Sequence, residues 1–139
     1  MRYMLLAVCL IAVAFGFRTQ SVAVKGKLRC GQEPANDILV KLIDQDAGYG
    51  PDPNDFIAQT NTNAAGEFTL SGSTEEISII DPEIRIYHEC NARGRKCQRK
   101  WKIRVPSKYI ADGPEPTVTM DLGDLNLEVE LEKESKDCS

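Results

Sequence analysis

Residues 84–105 read Ile-Arg-Ile-Tyr-His-Glu-Cys, then Asn-Ala-Arg-Gly-Arg-Lys, then Cys-Gln-Arg-Lys-Trp-Lys-Ile-Arg-Val. Each flank of the basic centre alternates apolar and polar side chains, the period-2 pattern of a half-buried strand. Ile84, Ile86, His88 and Cys90 share one face, and Cys97, Arg99, Trp101, Ile103 and Val105 share a face of the second half. Setting Cys90 opposite Cys97 places Ile86 across from Trp101 and Ile84 across from Ile103, and in that register the apolar faces coincide. The stretch therefore predicts a hairpin, and it holds the only Trp and the only His of the chain.

The same alternation recurs on both sides. Residues 21–30 predict a strand with Val22, Val24, Leu28 and Cys30 inward and Lys25, Lys27 and Arg29 outward. Pro34 closes a turn at 31–36. Residues 37–44 predict a strand with Ile38, Val40 and Leu42 inward and Lys41 outward. The Gly- and Pro-rich segment 45–55 is a loop. Residues 56–62 form a short polar strand suited to a sheet edge. Gly66 supplies a positive φ to the next turn. Residues 67–71 bury Phe68 and Leu70, with a turn expected at 72–76 and a short apolar strand at 77–80. A single helical turn is expected near 107–111, strands at 117–122 and 125–131, and a polar tail at 132–139. Short alternating strands without a helical period predict an all-β sandwich of two sheets.

Met1-Arg2, an apolar run from Tyr3 to Phe15 and small residues at Ala14 and Gly16 predict a secretory signal peptide over residues 1–16, with the domain at 17–139. Its apolar run falls short of the ~20 residues that span a bilayer. Without it the chain keeps 16 basic and 21 acidic side chains, a net charge of −5. That balance argues against general nucleic-acid binding. The expected product is secreted, extracellular and not membrane-spanning.

Four cysteines then remain: Cys30, Cys90, Cys97 and Cys138. An even count in a secreted chain predicts two disulfides with three connectivities open. The hairpin register favours Cys90–Cys97, which leaves Cys30–Cys138 by elimination. The spacings fit no zinc-finger pattern.

The basic cluster is the strongest functional signal. Arg93, Arg95 and Lys96 crown the hairpin loop, and Lys100, Lys102 and Arg104 project from its outer face beside Tyr87. On an acidic chain this segregated patch suits an anionic lipid head, a sulfated glycan or an acidic receptor. The plainer alternative is a solvated face whose charges pair with neighbours such as Glu89. The loop at 44–55 gathers Asp44, Asp46, Asp52, Asn54 and Asp55, oxygen ligands suited to calcium but not at EF-hand spacing. His88 faces Arg99 across the register, and that cation pushes the imidazole toward its neutral form. A lone His of this kind reads as structural. No Gly-x-Ser-x-Gly elbow accompanies it. No cofactor site is expected.

Eight stretches in order give the chain a resemblance to the nematode transthyretin-like family. They are residues 24–31 (Val-Lys-Gly-Lys-Leu-Arg-Cys-Gly), the Asp-Gln-Asp and Gly-Pro-Asp-Pro of the acidic loop, residues 66–72, residues 86–90 (Ile-Tyr-His-Glu-Cys), residues 97–100, residues 105–110, residues 122–127 and the closing Glu-Ser-Lys-Asp-Cys. The resemblance implies a secreted prealbumin-like sandwich. Some members are associated with lipid recognition on dying cells and others with signalling at the cell surface. The hydrolase branch of that fold needs several histidines and a C-terminal Tyr-Arg-Gly-Ser, whereas this chain has one His and ends Lys-Asp-Cys-Ser. The expectation is a secreted, non-catalytic binding module at the cell surface. Its candidate partners are anionic phospholipid (phosphatidylserine) or an extracellular receptor. A carrier of a small apolar ligand is the alternative, and a divergent hydrolase a remote one.

Overall fold

The computed structural model describes residues 17–45, 55–92, 97–132 and 134–137. Among the described residues ten strands form two sheets: β1 (Arg18–Cys30), β2 (Glu33–Pro34), β3 (Leu39–Asp44), β4 (Asp55–Asn61), β5 (Glu67–Glu76), β6 (Pro82–His88), β7 (Gln98–Arg104), β8 (Ala111–Asp112), β9 (Thr119–Asn126) and β10 (Ser135–Asp137). A single 3-10 turn covers Ser107–Tyr109, as the sequence predicts. The first sheet is built on β1, which pairs with β2, β5 and β8 antiparallel and with β9 parallel. The second sheet runs β10-β7-β6-β3-β4. Val22, Val24 and Leu28 from β1 meet Val40, Leu42, Ile84, Ile86 and Trp101 from the second sheet in one buried cluster. The all-β sandwich therefore stands.

The hairpin adopts the expected register: Ile84 lies opposite Ile103, Ile86 opposite Trp101 and His88 opposite Arg99. The cysteine pairing differs. Cys30 bonds Cys90, with the Cα atoms 5.7 Å apart, so neither Cys90–Cys97 nor Cys30–Cys138 forms. The β6–β7 ladder ends at His88–Arg99. The chain then turns through Asn91 at φ 57°, closed by the Ala92 N–H donating to the Glu89 carbonyl at 2.9 Å. That turn aims Cys90 at the end of β1 instead of across the hairpin. Cys97 is also disulfide-bonded, and Cys138 lies outside the described residues.

Other elements depart from expectation where a tertiary partner overrides the local pattern. β5 runs straight through the predicted turn at 72–76, because Arg18–Val22 of β1 supplies its ladder. Gly72 makes this possible at the seam between sheets, where a Cβ would sit 2.8 Å from the Ile57 side chain. Residues 77–80 form no strand. The two strands predicted in 117–131 are one, β9, after which the chain crosses to the other sheet. The polar tail supplies β10, paired with β7. Gly66 has φ 80° as predicted, and a Cβ there would lie 2.1 Å from the Leu28 carbonyl oxygen.

Candidate functional site

Alternation on three adjacent strands sends one set of side chains out of the second sheet. Lys41 on β3 lies opposite Arg85 on β6, and Arg85 lies opposite Lys102 on β7. Three cations thus form one row across the sheet. In the next row Leu39, Tyr87 and Lys100 lie side by side. The Lys41 Nζ sits 5.1 Å from the centroid of the Tyr87 ring and the Lys100 Nζ 5.7 Å from it. Both distances fall within the ~6 Å reach of a cation–π attraction. All six side chains are half-buried, so the lysine stems lie along the sheet.

Acids temper this face at one end. Glu83 accepts from Arg85 Nε at 2.8 Å, a pair whose side chains are only 14% and 8% exposed. Asp81 accepts from Arg104 Nη2 at 2.7 Å. Of the basic residues singled out in the sequence, the structure brings Lys100 and Lys102 together with Tyr87 and places Arg104 against Asp81. Arg93, Arg95 and Lys96 lie outside the described residues. Lys41 and Arg85 are the members that sequence reasoning missed. The outward position of Lys41 was legible, but its approach to Tyr87 depends on β3 pairing with β6.

The second basic row, on β1, belongs to the other sheet and meets acids. Lys25 is paired in register with Asp121 and Lys27 with Asp124, and Arg29 Nε donates to Asp124 at 3.1 Å. Most of the acidic loop lies outside the described residues, and among those described no group of three or more His, Cys, Asp or Glu side chains comes together. Asp44 is 2% exposed, and its carboxylate accepts the Asp81 N–H at 2.9 Å. Asp55 pairs with Asp44 through the β3–β4 ladder. Asp46 and Asp52 lie outside the described residues.

Beneath the outer face the same hairpin carries a buried polar cluster. All five N–H donors of Arg99 are engaged. Nε and Nη2 reach the two oxygens of Glu134. Nη1 donates to the carbonyls of Cys90 at 2.9 Å and Leu127 at 2.8 Å, and Nη2 to that of Val129 at 2.9 Å. Arg99 is thus a clamp on the segment that leads from β9 to β10, not part of a surface patch. His88 is 1% exposed. Its Nδ1 accepts the Cys90 N–H at 3.1 Å, and its ring meets Trp101 edge-on at 5.9 Å. Burial first, and the Arg99 charge second, lower its pKa from 6.5 to about 4. The expected push from Arg99 is present, yet desolvation is the larger cause.

Known proteins place the chain. The transthyretin-like family model matches residues 25–106. Transthyretin-like protein 33 of Caenorhabditis elegans is 40% identical over 120 residues, covering 86% of this chain and 82% of the relative. Transthyretin-like protein 5 of the same organism is 39% identical over 137 residues, covering 97% of both. This chain belongs to the transthyretin-like family. Transthyretin-like protein 46 is similar too, at 41% identity over 95% of this chain and 73% of the relative. The part matched by the transthyretin-like model holds Lys41, Arg85, Tyr87, Lys100 and Lys102, and stops short of the segment clamped by Arg99.

In this transthyretin-like chain the buried imidazole makes stability pH-dependent. The folded pKa of His88 lies below that of the unfolded chain, so the unfolded state takes up the proton first. The contribution is fully present above about pH 6.5 and is lost as the pH falls toward 4, to about 3 kcal/mol. Thermal unfolding of the wild type and His88→Phe at pH 7.5 and pH 4 is the check. The wild type should lose more stability than the variant across that interval. Equal losses would show that His88 does not carry the effect.

Proposed function

We propose that this protein is a secreted, non-catalytic binding module that presents the outer face of its second sheet to an anionic partner at the cell surface. Anionic phospholipid (phosphatidylserine) and an acidic extracellular receptor are the partners in view. One observation carries the reading: Lys41 and Lys100 converge on Tyr87, with Arg85 and Lys102 in the adjoining row. Cations on separate strands, brought to one face of an acidic chain, form a local field of opposite sign to the whole. A disulfide between Cys30 and Cys90 accords with an oxidising compartment. No described helix is long and apolar enough to cross a membrane. The geometry of His88 argues against its use as a general base, since Nδ1 is occupied and the ring is buried.

With Arg85 met by Glu83, three lysines at about 1 kcal/mol each give about 3, an affinity weaker than about 1 mM. Clustering of several copies or partners would be needed for tight attachment. The test is co-sedimentation with phosphatidylserine vesicles against neutral vesicles, at two salt concentrations, and binding to extracellular polyanions alongside. Binding should be salt-sensitive and confined to anionic targets. Charge reversal at Lys41, Lys100 and Lys102 should abolish it while the melting temperature stays nearly unchanged. Binding that survives the reversal would move the site elsewhere.

A further inference from the structure

Resting on that reading, we infer that the outer face of the second sheet takes a linear sulfated or carboxylated polysaccharide, bound across the strands at Lys41, Lys102 and Lys100. The argument begins with spacing. Neighbouring strands lie ~4.8 Å apart and alternate residues on one face ~7 Å apart, so the three lysines enclose a triangle roughly 7 to 12 Å on a side. One compact headgroup phosphate meets one or two such cations. A chain with an anionic group on successive sugars meets all three, and each contact after the first is intramolecular.

The non-charged members of the face point the same way. Tyr87 lies in the row of Lys100, and the ammonium groups of Lys41 and Lys100 lie over its ring. A pyranose presents C–H groups on its flat side and charged substituents around its rim. Once anionic substituents draw the two ammonium groups off the ring, Tyr87 becomes an aromatic floor for the C–H side of the sugar. Arg85 lies between Lys41 and Lys102 in register and donates its Nε to Glu83 at 2.8 Å, so its charge is met within the protein and the three lysines face the ligand.

A bilayer is a poorer match. Peripheral membrane anchors drive several apolar side chains into the plane where their cations meet the headgroups. Here the exposed large apolar side chains are mostly elsewhere. Phe17 adjoins the end of β1 where Arg18 pairs with Glu76, and Ile77 and Ile79 follow β5 at that same end. Val118 and Val129 flank β9. Phe56 alone borders the lysine face, on β4 opposite Ile43.

The experiment measures binding of the mature protein, at physiological salt, to heparin oligosaccharides of increasing length. A desulfated, N-acetylated series and phosphatidylserine vesicles serve as separate arms. Affinity for the sulfated series should rise with length and then level off, and the desulfated series should bind at least tenfold more weakly. Lys41→Gln, Lys100→Gln and Lys102→Gln should each weaken binding about three- to tenfold, and the triple variant at least thirtyfold. Lys25→Gln with Lys27→Gln, on the other sheet, should change it less than twofold. Binding to vesicles without binding to the sulfated series overturns the polysaccharide assignment and leaves the anionic-partner reading standing. Binding to neither overturns the polysaccharide assignment and the phospholipid partner together, and leaves an acidic receptor as the remaining partner of the proposed function. Equal losses from the two lysine sets would show a non-specific charge effect and overturn the site.

Discussion

Arg99→Met is expected to cost about 3–5 kcal/mol of stability, the range for breaking one side of a buried ion pair. The Glu134 side chain is only 10% exposed, so without its partner it becomes a buried carboxylate with no counter-charge. The carbonyls of Cys90, Leu127 and Val129 lose their donors in the same step. Against a typical domain stability of about 5–15 kcal/mol, that loss is a large share. Chemical denaturation of Arg99→Met, Glu134→Gln and the double variant is the measurement. The double variant should be more stable than the sum of the singles implies, because much of the penalty is the orphaned charge. Arg99→Lys should recover little, since an ammonium has three donors and cannot fork onto a carboxylate and three carbonyls. A single-variant cost below about 1 kcal/mol would mean that the clamp does not hold the tail.

Removing the Cys30–Cys90 bridge with a paired substitution to Ala is expected to cost about 4 kcal/mol, from the chain entropy of a closed loop with 60 residues of sequence separation. The effect should appear mainly as a lower unfolding midpoint. Peptide mapping without reduction settles the pairing independently. A fragment linking Cys30 to Cys90 is expected, and a fragment linking Cys90 to Cys97 would restore the hairpin bridge. The two predictions touch at one residue, because Arg99 binds the Cys90 carbonyl while Cys30 bonds its sulfur. Their costs should therefore combine non-additively.

The hairpin register was legible because Ile84, Ile86, Trp101 and Ile103 admit one pairing that buries them all. The cysteine partner was not, since it depends on where the ladder stops and on the left-handed turn at Asn91. β10 escaped notice because Ser135, Lys136 and Asp137 carry no apolar alternation. Its place depends on β7 and on Glu134 reaching Arg99. Arg99 itself sat within a run of cations that reads as surface, and only its strand phase marked it as inward. The candidate face was half legible. Arg85, Tyr87, Lys100 and Lys102 follow from alternation within the hairpin, although Arg85 was not singled out, whereas Lys41 joins them through the pairing of β3 with β6. Of the calcium candidates in the acidic loop, Asp44 accepts the backbone N–H of Asp81, and Asp46 and Asp52 lie outside the described residues.

The first strand has a consequence for how the protein is made. β1 is made before every other described strand, yet its parallel neighbour β9 lies at residues 119–126. At ~5–20 residues per second, about 5–20 seconds of synthesis separate the two. During that interval the apolar run at Val22–Val24 has half its ladder unmet. β1 joins β5 first, as residues 67–76 appear, and waits for the rest. Assembly of the first sheet is thus a late, non-local event, and the nascent chain is most open to aggregation and to wrong disulfides before β9 arrives. Truncations that end before residue 119 should therefore aggregate when expressed, even though the second sheet is then nearly complete.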